Sequence, residues 1–310
     1  MGIGSLLRPG LTAWLPLLAM LAVPSAMAQV SVTVTGNQAL ATISLPSGDG
    51  TVDADVTITF DGPVNLSPAE LNLSASVVDP NDTILLTRLG CPAPPGCLLS
   101  IDPAFPLLIT VEPLVVPWMF RSGFESDDNT GNLSFINSYE IEIHTPDLDC
   151  AAAAVGLPCA ATAYRLFKGP VDGDFRDITT EMLKGSVRAR GRGGAFSQFM
   201  IVADNRSSLA VEQVKALDLE SRIVLASIDE GLRTDLLGRL AAIQVAALVD
   251  LDFTTALADL DELVGIVQLD AGLTIPNVWS SDSPSSNDAG EIEALAQTLR
   301  YTLALLNSGS

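Results

Sequence analysis

The chain has 310 residues, of which 48% are hydrophobic and only 17% charged, and its formal net charge is −21. This length suits about two domains with real cores, and the composition excludes a disordered acidic polymer. The charge arises because bases are scarce, 16 Lys and Arg against 37 Asp and Glu. A surface of that sign is repelled by nucleic acid and by anionic lipid.

Residues 1–28 have the three parts of a secretory signal. Arg8 gives a basic start, and Leu11 to Val23 is apolar but short for a membrane span. Ala26-Met27-Ala28 supplies an A-x-A cleavage site, so the mature chain is expected to begin at Gln29. No later run is apolar for long enough to span a bilayer. The expected location is therefore secreted or periplasmic, with no membrane span after signal removal.

From Gln29 to about Asn205 the chain reads as short β-type runs. Val30 to Val34 alternates as a half-buried strand does, and so does Val52 to Phe60. Leu40 to Leu45, Leu71 to Val78, Ile84 to Leu89, Leu107 to Val111, Val115 to Phe120, Leu133 to Ile143 and Ala163 to Phe167 follow, separated by Gly, Pro, Asn and Asp. Many short strands without an intervening amphipathic helix predict an antiparallel β-sandwich over residues 29–206. Four cysteines allow three pairings. The local one, Cys91–Cys97 and Cys150–Cys159, is simplest in an oxidising compartment. The spacings do not suit zinc.

Gly185 to Ser208 is the seam between two styles of sequence. Val187 to Arg190 and Phe196 to Val202 read as two strands of a hairpin that closes the sheet, with Gly191 to Gly194 as its turn. Beyond it the period becomes helical. One stripe is Val214, Leu217, Val224, Leu225 and Ile228, and a second is Leu236, Leu237, Leu240, Ile243 and Ala247. A third is Phe253, Leu257, Leu260, Val264 and Val267, and the last is Ile292, Leu295, Leu299, Leu303 and Leu306. Asp288 with Glu291 three residues on reads as a capping pair opening the last helix. Trp279 to Asn287 reads as a polar linker. The fold class expected is α+β, a β-sandwich followed by an antiparallel helical bundle over residues 207–310.

The run Leu236 to Gly272, with L-L-G-R-L-A-A-I-Q-V-A-A-L followed by D-x-D-F-x-x-A-x-x-x-L-x-x-L-V, resembles the helical FIMAH domain found at the carboxyl ends of extracellular bacterial proteins. The resemblance covers about the last third of the chain and implies export and a bundle. It implies no catalytic residue.

Several patterns are candidates for chemistry. Glu140, Glu142 and His144 alternate, so on a strand they share a face, and carboxylates with imidazole are transition-metal ligands. Alternation is also what any half-buried strand shows. His144 is the sole histidine, so a Ser-His-Asp hydrolase could use no other, and no G-x-S-x-G elbow presents a nucleophile. A two-carboxylate hydrolase would need only a pair of acids at the right separation. Asp127, Asp128 and Asn129 form an oxygen-rich loop, as do Asp79 to Asp82, and calcium is the cation such loops take. Neither follows the spacing of a calcium-binding loop. Arg188, Arg190 and Arg192 recur at every second residue and could line one strand face for an anionic ligand such as an acidic glycan. Their plain alternative is pairing with nearby carboxylates. Trp118 reads as core and Trp279 as the more accessible tryptophan.

These readings favour an exported, non-catalytic binding or structural module without a cofactor, its partner an extracellular protein or glycan. A secreted hydrolase using carboxylates or His144 and a calcium-dependent adhesion module are the alternatives.

Overall fold

A computed structural model describes residues 29–48, 50–91, 96–113, 115, 132–149, 164–183, 186–281 and 287–309. The export signal, Trp118, the Asp127–Asp128–Asn129 loop and the Cys150–Cys159 pair lie outside the described residues.

The strands in chain order are β1 Gln29–Thr35, β2 Gln38–Ser47, β3 Gly50–Phe60, β4 Leu73–Val77, β5 Leu99–Ser100, β6 Leu107–Val111 and β7 Ser134–Ile136. They continue as β8 Tyr139–Asp149, β9 Tyr164–Gly169, β10 Arg176–Asp177, β11 Thr179–Leu183, β12 Ser186–Gly193, β13 Gln198–Asp204 and β14 Val278–Ser280. The helices are α1 Pro68–Leu71, α2 Thr83–Arg88, α3 Ser208–Leu225, α4 Glu230–Gln244, α5 Phe253–Asp270 and α6 Asp288–Ser308, with a π-helical turn at Val245–Val249 after α4.

Two larger antiparallel sheets hold most of the strands, and β14 pairs with β7 in a third, two-stranded one. The first runs β1-β2-β3-β8-β12-β11, the second β10-β9-β13-β6-β4 with β5 on β13. Alternation places one row of each strand inward. Val52, Ala54, Val56, Ile58 and Phe60 of β3 and Ile141 and Ile143 of β8 are buried, and they share one cluster with Leu107, Ile109, Leu166 and Phe199 of the second sheet. The other face of the second sheet is also covered. Phe167, Met200 and Val202 pack there against Leu85 and Leu89, which explains the continuous apolar run of β13.

Four local expectations are corrected. Ile84 to Leu89 lies mostly in a helix, not a strand, because Asp82 caps it by accepting from the amides of Ile84 and Leu85, and Leu85 and Leu89 then meet on one face. Leu133 to Ile143 is two strands, β7 and β8, broken at Asn137, whose φ is 53°. Trp279 is not in a polar linker. It lies in β14, stacked on Phe135 at 5.2 Å and edge-on to Phe196 at 4.9 Å. Residues 185–208 are not a hairpin, since β12 joins the first sheet and β13 the second, so the connection crosses between sheets. The glycines there serve close approach, not turning. A Cβ on Gly191 would come within 2.7 Å of Ile178 Cδ1, and one on Gly193 within 2.6 Å of Tyr139 Oη.

The helical half has its own apolar cluster, built from the stripes of α4, α5 and α6 much as the periodicity implied. The α3 stripe is corrected. Val214, Leu217, Val224 and Leu225 are exposed, while Val211, Ala216, Leu219 and Ile223 are buried together with Glu212 and Lys215. The buried face of α3 carries charge, so an apolar stripe selects the wrong side. α6 is the central helix. It touches α3 and α5 on one side and β11 and β12 on the other. Its first three turns, from Asp288 to Leu299, are accordingly buried almost all round.

Contact between α6 and the first sheet demands glycine. A Cβ on Gly194 would lie 2.6 Å from the Glu291 amide nitrogen and 2.8 Å from the Gly290 carbonyl carbon, which are helix backbone and cannot swing aside. Gly194→Ala is expected to cost about 2 kcal/mol or more and lower the melting temperature by about 5 °C. Gly238→Ala, where nothing lies within 4 Å, should hold or raise it, since alanine favours a helix by about 1 kcal/mol. Thermal melts of the two variants check this.

Candidate functional site

The seam between sheets and helices is made of buried charge. Glu291, in the first turn of α6, takes Lys168 Nζ of β9 at 2.8 Å and Arg176 Nη2 of β10 at 3.0 Å. Its Oε1 also accepts from the Gly194 amide at 2.8 Å. Burial alone would raise this carboxyl, but Lys168 and Arg176 outweigh burial and hold it down at about 2. Burial pushes the Lys168 ammonium down against the pull of Glu291. The neighbouring acids are also engaged. Asn287, not Asp288, caps α6 by accepting from the Gly290 amide, and its amide donates to Gly194 O at 2.9 Å. Asp288 pairs with Arg222 of α3 and accepts from the Ser227 amide at 2.8 Å. The expected capping pair is thus replaced by long-range contacts.

A second buried set ties α3 to the sheets. Lys215 Nζ lies 2.8 Å from Asp177 Oδ2 and donates to Thr298 O at 3.1 Å. Thr298 in turn donates to Thr179 O at 2.8 Å. Burial lowers the Lys215 ammonium to about 8, partly offset by Asp177. Burial also works against the Asp177 carboxylate, yet Lys215 and Arg165 prevail and keep it below its ordinary value. Glu212, one turn before Lys215, is fully buried and neither oxygen has a hydrogen-bond partner. Burial raises it to about 7.

Outside this seam opens a cleft of about 730 Å³, within the usual range for small-ligand sites. Gly90, Gly96 and the disulfide-bonded Cys91 and Cys97 line it, as do Val214 and Asp218 of α3. Phe167, Phe175 and Leu99 give it apolar surface, and Arg88, Arg176 and Arg206 also line it. Each arginine is anchored but not exhausted. Arg88 lies over the Phe175 ring at 4.4 Å and donates through Nε and Nη2 to Gly173 O and Pro170 O. Arg206 uses Nε and Nη2 on Asp204, and Arg176 uses only Nη2 on Glu291. A guanidinium has five N–H donors, so all three present spare donors. Asp218 faces the same space, and burial raises its carboxyl above the ordinary value.

Glu140, Glu142, His144, Arg188, Arg190 and Arg192, singled out in the sequence, sit elsewhere, on the outward face of the first sheet. The Arg row of β12 lies in register beside the Glu row of β8, with Arg188 opposite His144, Arg190 opposite Glu142 and Arg192 opposite Glu140. Glu142 takes both Arg188, at 3.1 Å, and Arg190, at 2.5 Å. Arg190 also pairs with Glu181 at 2.6 Å, and Arg192 with Glu293 of α6 at 3.1 Å. The two rows largely satisfy each other, and exposed pairs of this kind contribute about 0–1 kcal/mol each. Arg190, Arg192 and Glu140 line a smaller notch of about 390 Å³ beside Tyr301. Among the described residues no group of three or more His, Cys, Asp or Glu could hold a metal ion. In the Asp79 to Asp82 loop, Asp79 accepts from the Asn81 amide and Asp82 caps α2, so its oxygens serve the backbone. Arg88, Arg176, Arg206 and Asp218 were missed because they come from three distant segments and no local motif joins them.

Two pH effects follow. Glu291 is held below its ordinary 4.5, so its stabilisation is complete above about 4.5 and is lost as pH falls through about 2. Glu291→Gln should cost about 3–5 kcal/mol at pH 7 and flatten that acid limb in melts across pH. Glu212 is raised, so its effect has the opposite sign. The unfolded chain ionises from about 4.5 while the folded one holds its proton to about 7, and stability falls over that window as pH rises. Glu212→Gln should therefore raise the melting temperature at pH 8 by several degrees and change it little at pH 4.

Comparison with curated proteins finds no match, and comparison with solved structures finds none. A family model does match, over residues 16–307, and it runs through both the sheets and the helices. The chain belongs to the Family of unknown function DUF6689.

Proposed function

We propose that this chain is an exported binding module. In this reading a β-sandwich and a bundle of helices form one frame, and the cleft beside their seam takes an anionic group carried on an apolar body. The observation that carries it is the set of three anchored arginines with unused donors on an apolar-walled cleft, in a protein of net charge −21. Guanidinium held in place by protein contacts loses little freedom on binding a carboxylate, sulfate or phosphate. The cleft lining includes no histidine, and its two cysteines are joined as a disulfide. Its chemistry supports binding and orientation. The resemblance of Leu236 to Gly272 to the FIMAH domain supports the export part of this reading, as does the A-x-A site at residues 26–28. Asp174 and Asp218 at the same cleft disfavour polyanions and select a ligand with a single acidic group.

The probe is 1-anilinonaphthalene-8-sulfonate, one sulfonate on an aryl body. It should bind the folded chain saturably. Arg88→Met, and Val214→Glu at an exposed position of the cleft wall, should each weaken binding about tenfold. Arg188→Gln, on the sheet face, should leave it unchanged. Absence of saturable binding, or equal binding by all three variants, would overturn the proposal.

A further inference from the structure

We propose that Ser186 is a nucleophile activated by His144 and that the pair accepts acyl groups from small neutral esters. This site is independent of the cleft, which none of its residues line. It is built across four adjacent strands on the outward face of the first sheet. Thr42 of β2 stands opposite Asp55 of β3, and Asp55 opposite His144 of β8. Thr42 Oγ1 donates to Asp55 Oδ1 at 3.1 Å, and Asp55 Oδ2 faces His144 Nδ1 at 3.7 Å. On the far side of the ring, His144 Nε2 lies 2.9 Å from Ser186 Oγ. The order is the one acyl transfer uses, with the hydroxyl at hydrogen-bond distance from Nε2 and the carboxylate within ion-pair reach of Nδ1. The pairing shifts beside Ser186, which stands opposite Asp149 while Val187 stands opposite Thr145, so the extra residues lie in β8. Ser186 keeps the alternation of β12, exposed like Arg188 while Val187 between them is buried, so it shares the outward face with the chain's single histidine.

The chemistry balances with an ester and water. With the imidazole proton on Nδ1, Nε2 accepts the Ser186 proton as Oγ bonds to the acyl carbon. The bond to the leaving oxygen then breaks, and that oxygen takes the proton from Nε2. Water next attacks the acyl-serine, Nε2 takes its proton and returns one to Oγ, and a carboxylic acid is released. His144 is the catalytic base, while Asp55 and Thr42 are positioning residues. General-base assistance is worth about 10²–10⁴ in rate, enough for activated esters and not for amides. Ser186 is exposed, as is Asp55, so an ester reaches the hydroxyl directly from solvent. Arg188 beside it is bound to Glu142, and the remaining acids on this face disfavour anionic substrates.

The test treats the intact chain with a fluorophosphonate probe, maps the adduct by peptide mass spectrometry, and follows 4-nitrophenyl acetate turnover. The adduct is expected on Ser186 and absent in Ser186→Ala. His144→Gln should slow labelling and turnover at least about hundredfold, with an unchanged melting temperature. Asp55→Asn should slow both less, and Asp55→Glu should restore part of the rate, which a merely structural role would not do. No adduct at Ser186, or labelling of His144→Gln at the wild-type rate, would overturn the assignment.

Discussion

A carboxylate taken out of water must be matched by cations or give up its charge. Glu291 is matched, by Lys168, Arg176 and the Gly194 amide, and much of the architecture follows from satisfying it. The cations come from β9 and β10 of the second sheet and the amide from the end of β12 in the first. The α6 helix that carries Glu291 is thereby fixed against both. Gly194 must lack a side chain so that the α6 backbone can approach. Arg222 of α3 reaches the next residue, Asp288, and brings α3 into the same assembly. Arg176 serves twice, since it neutralises Glu291 through Nη2 and also lines the cleft.

The scarcity of bases gives their placement meaning. The chain has three lysines at residues 168, 184 and 215, and two of them, Lys168 and Lys215, are almost wholly buried at the seam. Lysine is rarely buried unless paired, and here each is paired with an acid from a different element. Two sets of arginines contrast. Those of β12 are met by acids from β8, β11 and α6, so they add little energy and little free charge. Those at the cleft stand beside the apolar surface of Phe167 and Phe175, and that setting separates a candidate site from a row of paired charges on a sheet face.

The sequence was legible where burial is one-sided. Alternation located β1, β3 and β8, and helical periods located the core faces of α4, α5 and α6, because in those elements the apolar stripe is itself buried. It failed where polar groups are buried. The buried face of α3 holds Glu212 and Lys215, so its exposed valines and leucines look like the core. Asp288 and Glu291 look like local caps because their true partners lie far off in sequence. Gly191 and Gly193 look like a turn because the sequence does not show which neighbour presses on them. The cleft was invisible for the same reason, being assembled from segments around residues 88, 176 and 206. His144 and the Arg row could be found by spacing, but their partners across the sheet required the register.

The central claim is that buried charge at the amino end of α6 makes sheets and helices one cooperative unit. Native-state amide hydrogen exchange on the intact chain tests it directly. The account predicts that the most protected amides of α6, β9 and β12 exchange through one common opening, with the same free energy and the same denaturant dependence. If α3 to α6 instead opened at a much lower free energy while β9 and β12 stayed protected, the helices would be an independent bundle and the claim would be wrong.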